Sequence, residues 1–182
     1  MAQLVGFAGS LRKGSFNRSL IAAASAAMPP GSTLEVLSID DVPLYNADVE
    51  AKSGVPAAVA ALKDRIAAAD GLVIATPEYN GGIPGIAKNA IDWISRPPDD
   101  IKRVIGGKPV ALMGATPGGM GTAFSQLAWE HVLRTLRARL WTGGGPFYVS
   151  AAAKSFDAEG RPNDELAKRI ADYMAAFVAS LG

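Results

Sequence analysis

The chain has 182 residues, a formal net charge of +1, one histidine and no cysteine. This length fits one domain with a sizeable core, and the small charge creates no field that would attract nucleic acid. The composition excludes disulfides, cysteine nucleophiles and Cys- or His-rich metal centres, and without a leader-like start or an apolar run of about 20 residues we expect a soluble, cytoplasmic protein with no membrane partner.

In chain order, short apolar runs predict five strands, and apolar residues at helical spacing predict five helices. The strands are predicted at 4–8, 34–39, 72–75, 110–113 and 147–149. The helices are predicted at 20–28, 56–69, 84–94, 124–136 and 166–181. Two polar segments, 40–53 and 97–107, are predicted as connectors.

Alternating strands and helices predict an α/β fold for residues 1–182, a single domain built on a doubly wound, five-stranded parallel sheet. The strand order 2-1-3-4-5 is common for this count. It places strands one, three and four side by side, and glycine-bearing loops follow these same three strands. Because open α/β sheets bind ligands at the carboxyl ends of their strands, a single ligand could contact all three loops.

The loop after the first strand is a candidate anion site. It carries Ser10, Arg12, Ser15 and Asn17 at the start of a predicted helix, where unpaired N–H groups and the helix dipole attract phosphate. A capping role explains Ser15 or Asn17 equally well, but it does not explain all four side chains together. Nucleotide-hydrolase and dinucleotide glycine patterns are absent, so the loop is predicted to hold a phosphate monoester without attacking it.

The loops after the third and fourth strands are candidate contacts for a flat ring. Residues 77–82 offer the Tyr79 ring, an amide and exposed main chain, and residues 116–121 offer Thr116 with flanking glycines. Glycine allows a planar ring to approach the main chain closely. Each loop taken alone is also compatible with an ordinary turn.

Several blocks of this sequence resemble the NADPH-dependent FMN reductase family, which includes bacterial quinone and chromate reductases with a flavodoxin-like fold. The blocks are Gly9-Ser10-Leu11-Arg12-Lys13-Gly14-Ser15-Phe16-Asn17-Arg18, Pro77-Glu78-Tyr79-Asn80, Ile83-Pro84-Gly85 and Lys88-Asn89-Ala90-Ile91-Asp92-Trp93. The resemblance covers nearly the whole chain. One departure is Gly81-Gly82, which follows Asn80 where many relatives carry an aromatic residue.

The resemblance implies where FMN binds. Ser10, Arg12, Ser15 and Asn17 would hold its phosphate, whereas Pro77, Glu78, Tyr79 and Asn80 would line the isoalloxazine and Thr116 would close the far side. The expected cofactor-binding set is Ser10, Arg12, Ser15, Phe16, Asn17, Pro77, Glu78, Tyr79, Asn80, Gly81, Thr116 and Gly118. Homodimers or homotetramers are implied too, with the helix after Pro84 near the interface.

The implied chemistry belongs to the cofactor. NADPH or NADH would deliver hydride to flavin N5 and then give way, at the same place, to an acceptor such as a quinone, azo dye, nitroaromatic, ferric chelate or chromate. The protein would position the reactants without a catalytic side chain of its own. Two alternatives stay open at this point: a flavodoxin-like one-electron carrier, and a protein that binds a phosphorylated metabolite without flavin.

The remaining polar and aromatic residues are predicted to have structural roles. His131 is expected on the surface of its helix. The pairs Asp40-Asp41 and Asp99-Asp100 are expected to be solvated. The three tryptophans, Trp93, Trp129 and Trp141, are expected in the core or at an interface.

Overall fold

One parallel sheet runs through the computed structural model, which describes residues 1–182. Its strands are β1 (Gln3–Ala8), β2 (Thr33–Val36), β3 (Gly71–Ala75), β4 (Pro109–Ala115), β5 (Arg139–Leu140) and β6 (Phe147–Val149). They lie in the order β2-β1-β3-β4, and both β5 and β6 pair with β4 at the far edge. The predicted α/β architecture and the strand order 2-1-3-4-5 are confirmed.

The fifth position of the sheet is divided between two strands, so the predicted count of five is corrected to six. Leu140 of β5 pairs with Val110, and Phe147 of β6 pairs with Met113. Between them the chain leaves the sheet through three glycines and a proline, which lacks an N–H for the ladder. The Tyr173 hydroxyl fills the gap by donating to the carbonyl of Leu112 at 2.7 Å, and burial of this phenol raises its pKa.

Seven α-helices surround the sheet. They are α1 (Phe16–Ala26), α2 (Ala47–Ser53), α3 (Ala57–Ala68), α4 (Gly85–Ile94), α5 (Ile101–Val104), α6 (Ala123–Thr135) and α7 (Asp164–Ala179). All five predicted helices are present. α2 and α5 were not predicted. α2 has no buried residue and therefore no apolar stripe. Its one sequence signal is Asn46, whose Oδ1 accepts the N–H of Asp48 at 2.8 Å and caps the helix.

The sheet separates two cores. Alternate strand residues such as Leu4 and Val73 pack with α1 and α7, whereas Val5 and Leu72 pack with α3, α4 and α6. The three tryptophans lie in different cores. Trp93 and Trp129 are fully buried in the second core, and Trp141 packs against the first. His131 is exposed, as predicted. No helix combines the length and apolar character needed to cross a membrane.

Two of the aspartates expected to be solvated form ion pairs: Asp100 is half-buried, which corrects that expectation, whereas Asp40 stays exposed. Asp100 contacts Lys63, which is only 3% exposed, at 2.8 Å and Arg103 at 2.6 Å. Hydrogen bonds from Arg103 and then from Lys63 hold the pKa of Asp100 well below its usual range. Asp40 pairs with Arg18 at 2.6 Å. Lys63 and Arg18 are distant in sequence from the aspartates they contact, so the sequence pattern did not reveal these two pairs, whereas Arg103 is only three residues from Asp100.

Candidate functional site

A cavity of about 180 Å³ opens at the carboxyl ends of β1, β3 and β4. Pairing of Ala8 with Ala75 and of Ala75 with Met113 brings these strand ends side by side. Three segments follow them: loop A (residues 9–15), loop B (76–84) and loop C (116–122). The lining consists of Ser10, Arg12, Ser15, Phe16, Asn17, Pro77, Glu78, Tyr79, Ala115, Thr116 and Pro117.

Most of the expected cofactor-binding residues are brought together at this cavity, but three are not. Asn80 and Gly81 lie at the exposed tip of loop B, and Gly118 lies on the exposed side of loop C. Two lining residues were missed, Ala115 and Pro117. Their only sequence signal is their position, since they flank Thr116 at the end of a predicted strand.

Two side chains of loop A and the adjoining helix are engaged with the protein. Ser15 caps α1, its Oγ accepting the N–H of Asn17 at 3.2 Å. Asn17 is buried and bonds both main-chain groups of Ala115: Nδ2 donates to the carbonyl at 2.8 Å and Oδ1 accepts the N–H at 2.9 Å. The capping alternative therefore describes Ser15, while Asn17 ties the start of α1 to the end of β4.

Arg12, Lys13 and parts of the main chain are the polar groups of loop A without a partner in the protein, and of the two side chains only Arg12 lines the cavity. Arg12 is exposed, takes part in none of the ion pairs and lies with its guanidinium 6.0 Å from the ring centre of Phe16. The N–H groups of Leu11, Lys13 and Gly14 have no hydrogen-bond acceptor within the protein. Unpaired donors beside the N-terminus of α1 favour an anion.

The tip of loop B is a tight turn that presents Tyr79. The N–H of Tyr79 donates to the carbonyl of Gly82 at 3.2 Å, and the reverse bond measures 3.1 Å. Asn80 and Gly81 have φ angles of 52° and 70°, the combination of a type I′ turn, for which Asn-Gly is a preferred pair. The ordinary-turn alternative thus accounts for these two residues, whereas Tyr79 is 52% exposed and lines the cavity.

Glu78 connects loop B to the start of α6. Its Oε2 accepts the N–H groups of Phe124 at 2.9 Å and Ser125 at 3.1 Å. The N-cap residue Thr122 makes no side-chain capping bond, so the carboxylate of Glu78 satisfies these donors in its place. A negative charge at a helix N-terminus is stabilising, which gives Glu78 a structural role beside the cavity.

A buried polar cluster fixes the base of loop B. The indole Nε1 of Trp129 donates to Thr76 Oγ1 at 3.0 Å, and Thr76 Oγ1 lies 2.8 Å from Ser125 Oγ. All three residues are fully buried. Because buried polar groups without partners are costly, this cluster holds loop B in one position relative to α6.

The Lys88–Trp93 block positions the segment that follows β2. Asn89 Nδ2 and Trp93 Nε1 each donate to the carbonyl of Pro43 at 2.8 Å. Asn89 Oδ1 accepts the N–H of Tyr45 at 2.8 Å. This block of α4 therefore supports a neighbouring segment and does not line the cavity.

A larger cleft of about 610 Å³ lies at the opposite edge of the sheet. It is lined by Gly106 and Gly107, which precede β4, and by the charged residues Asp99, Lys102 and Arg137. All three charged side chains are exposed or at the surface of the cleft. Since parallel sheets bind ligands at the carboxyl ends of their strands, the smaller cavity is the better candidate site.

Comparison with known proteins identifies the family. The sequence profile described as NADPH-dependent FMN reductase matches residues 2–153. The chain is 41% identical over 168 residues to an NAD(P)H-dependent FMN reductase of Pseudomonas aeruginosa, covering 92% of this chain and 88% of that protein. It is 45% identical over 172 residues to a 2-hydroxy-1,4-benzoquinone reductase of Burkholderia sp, covering 94% of this chain and 91% of that protein.

The fold is shared as well. The flavoenzyme NAD(P)H:(acceptor) oxidoreductase FerB from Paracoccus denitrificans superimposes with a TM-score of 0.87 at 32% identity, covering 100% of this chain and 97% of that one. The resemblance seen in the sequence blocks is thereby confirmed. The chain belongs to the NADPH-dependent FMN reductase family and is a flavodoxin-like reductase that uses FMN and NAD(P)H.

Proposed function

We propose that this protein is an NAD(P)H:acceptor oxidoreductase that holds FMN in the cavity between loops A, B and C and reduces quinone-like compounds. One arrangement carries the proposal: loop A brings Arg12 and unpaired main-chain donors to the same cavity to which loop B brings Tyr79 and Pro77. FMN held there would supply the hydride chemistry between a nicotinamide and the acceptor. The benzoquinone reductase of Burkholderia sp supports a quinone as the acceptor.

Loop A fits a phosphate monoester. The hydroxyls of Ser10 and Ser15 line the cavity beside Arg12, and the guanidinium can donate two hydrogen bonds to phosphate oxygens. The one acidic lining residue is Glu78, whose Oε2 is engaged by the N-terminus of α6. The two hydroxyls and the guanidinium would bind and orient the cofactor through its phosphate.

Loops B and C fit a flat heterocycle. Tyr79 and Pro77 offer apolar surface, and the N–H group of Glu78 has no acceptor within the protein. Such a donor can bond an oxygen or nitrogen atom of an isoalloxazine. Thr116 lines the cavity from loop C and would close the far side of the ring.

The cavity leaves much of a bound ring open. Its volume of about 180 Å³ is below the roughly 300–1,000 Å³ of sites that enclose a ligand. Tyr79 is 52% exposed, so the loop B side of the cavity is open to solvent. An open face suits a ping-pong reaction, in which the nicotinamide and the acceptor occupy the same place in succession.

No lining side chain is proposed as an acid or base, because Glu78 is engaged by the N-terminus of α6. The lining also contains no group that would select one acceptor class over another. Chromate, azo, nitro and ferric compounds are therefore proposed as further acceptors beside quinones.

A homodimer or homotetramer is proposed as the working form. Leu44 is 84% exposed on the segment that α4 holds through Asn89, which supports an interface near α4. Phe124 and Leu127 are also exposed, beside loop B. Light scattering coupled to size-exclusion chromatography tests this state, and a monomer at micromolar concentration would contradict it.

The function is tested by mixing the FMN-loaded protein with NADH or NADPH without oxygen and following the visible spectrum. We expect rapid bleaching by at least one nucleotide and reoxidation by benzoquinone. Steady-state rates at several quinone concentrations should give parallel double-reciprocal lines. Reduction by dithionite but by neither nucleotide would favour the one-electron carrier and overturn the proposal.

A further inference from the structure

Arg18, in the first turn of α1, contacts loop A without lining the candidate site. Its Nε donates to the carbonyl of Ser10 at 2.8 Å. Its Nη2 contacts both carboxylate oxygens of Asp40, at 2.6 and 2.9 Å. Arg18 and Asp40 line a separate cavity of about 230 Å³ beside β2, and neither lines the candidate site.

The bond to Ser10 sets the direction of a main-chain donor. The peptide between Ser10 and Leu11 is trans, so its carbonyl and its N–H point in opposite directions. Because Arg18 holds the carbonyl towards β2, the N–H of Leu11 is directed away from β2. This N–H has no acceptor in the protein, and it lies between Ser10 and Arg12, which both line the candidate site.

Asp40 orients the guanidinium that makes this bond. Without Asp40, the long side chain of Arg18 would be free to turn into solvent, because only its single hydrogen bond to Ser10 would remain. The pair is partly exposed, at 36% for Arg18 and 47% for Asp40, and exposed ion pairs contribute little to folding stability. Its main effect is therefore expected on the geometry of loop A.

We propose that Arg18 and Asp40 are positioning residues that hold loop A in its anion-binding conformation. The inference rests on the proposed function, in which loop A receives the phosphate of FMN. It makes a counter-intuitive prediction, because the negative charge of Asp40 would by itself disfavour a nearby phosphate. Removing that charge should weaken FMN binding if Asp40 acts through Arg18.

The test measures the dissociation constants of FMN and of riboflavin, which lacks the phosphate, for the apoprotein and its variants. For Asp40→Asn we expect FMN binding to weaken by about tenfold, the factor carried by one ordinary hydrogen bond. Riboflavin binding should change less than about twofold, since the ring contacts are untouched. Arg18→Lys keeps the positive charge but lacks a guanidinium that can bond Ser10 and Asp40 at once. It should show the same selective loss of FMN affinity.

Asp172→Asn is the matched control, because Asp172 forms an exposed ion pair with Lys168 on α7. It should leave both dissociation constants unchanged. Tighter FMN binding by Asp40→Asn, or equal losses for FMN and riboflavin, would overturn the positioning role. Failure of the unmodified protein to bind FMN would instead overturn the proposed function, so the two failures can be told apart.

Discussion

Loop A presents main-chain donors and one arginine to the cavity, whereas loop B presents an aromatic ring. In loop A, Ser15 and Asn17 are committed to α1 and β4, and Arg12 is left free. In loop B, Glu78 is committed to α6 and its neighbour Tyr79 is left free. Side chains of similar polarity therefore divide between building the site and facing its ligand, and contacts with distant residues decide which role each side chain takes.

The largest effect is expected from removing the bridge between Asn17 and β4. Asn17→Ala would leave the buried N–H and carbonyl of Ala115 without partners, so the apoprotein should lose about 2–4 kcal/mol of unfolding free energy. Urea denaturation measures this loss. Asn46→Ala, which removes only an exposed cap, should cost about 1 kcal/mol. Equal losses in the two variants would contradict the bridging role.

The next effect concerns binding and leaves folding intact. Arg12→Gln should raise the FMN dissociation constant by about 10- to 100-fold, because a charge-assisted bond to phosphate contributes roughly 1.5–3 kcal/mol. Fluorescence titration of the apoprotein measures this change. Lys13→Gln removes an equal charge from the next residue and should change the constant by less than about threefold. Similar losses of FMN affinity in both variants would indicate that the overall positive charge of loop A attracts FMN and that Arg12 makes no specific contact.

A smaller effect tests whether the tip of loop B depends on its backbone. Gly81→Ala places a side chain at φ +70° with no neighbour within 4 Å, so its cost of about 1–2 kcal/mol comes from conformation alone. Gly82→Ala is the control, because no positive φ occurs there and the nearest atom is 3.9 Å away. Thermal unfolding of the apoproteins compares them, and equal melting temperatures would argue against the type I′ turn.

The smallest effect separates structure from binding at Glu78. Glu78→Gln keeps an acceptor oxygen but removes the charge near the N-terminus of α6, so the unfolding free energy should fall by about 0.5–1 kcal/mol. The loss should shrink in high salt, which screens the charge. A large loss of FMN affinity with unchanged apoprotein stability would show that Glu78 serves the ligand and not the helix.

The sequence was sufficient to predict the order of the sheet and the meeting of three loops around one cavity at its carboxyl edge. Apolar runs marked the central strands, and loops after strands one, three and four had to meet once the order 2-1-3-4-5 was assumed. The roles of Asn17 and Glu78 could not be predicted, because their partners lie 98 and 46 residues away. The ion pair between Lys63 and Asp100 was hidden for the same reason.

Helix α2 and the divided edge of the sheet are two further features that could not be predicted from the sequence. α2 buries no side chain, so hydrophobic periodicity had nothing to detect. The break between β5 and β6 is completed by Tyr173, which comes from the last helix and meets Leu112 across 61 residues. The local sequence pattern predicts neither feature.

The divided edge beside β4 also protects the molecule against strand-by-strand polymerisation. β5 and β6 contain only two and three residues, so no long row of unpaired N–H and C=O groups faces outwards. A strand of another molecule that began to pair with β6 would find no further pairing partner at the glycine-rich segment 141–146, which leaves the sheet. Short, interrupted borders of this kind keep parallel sheets from growing into fibrils.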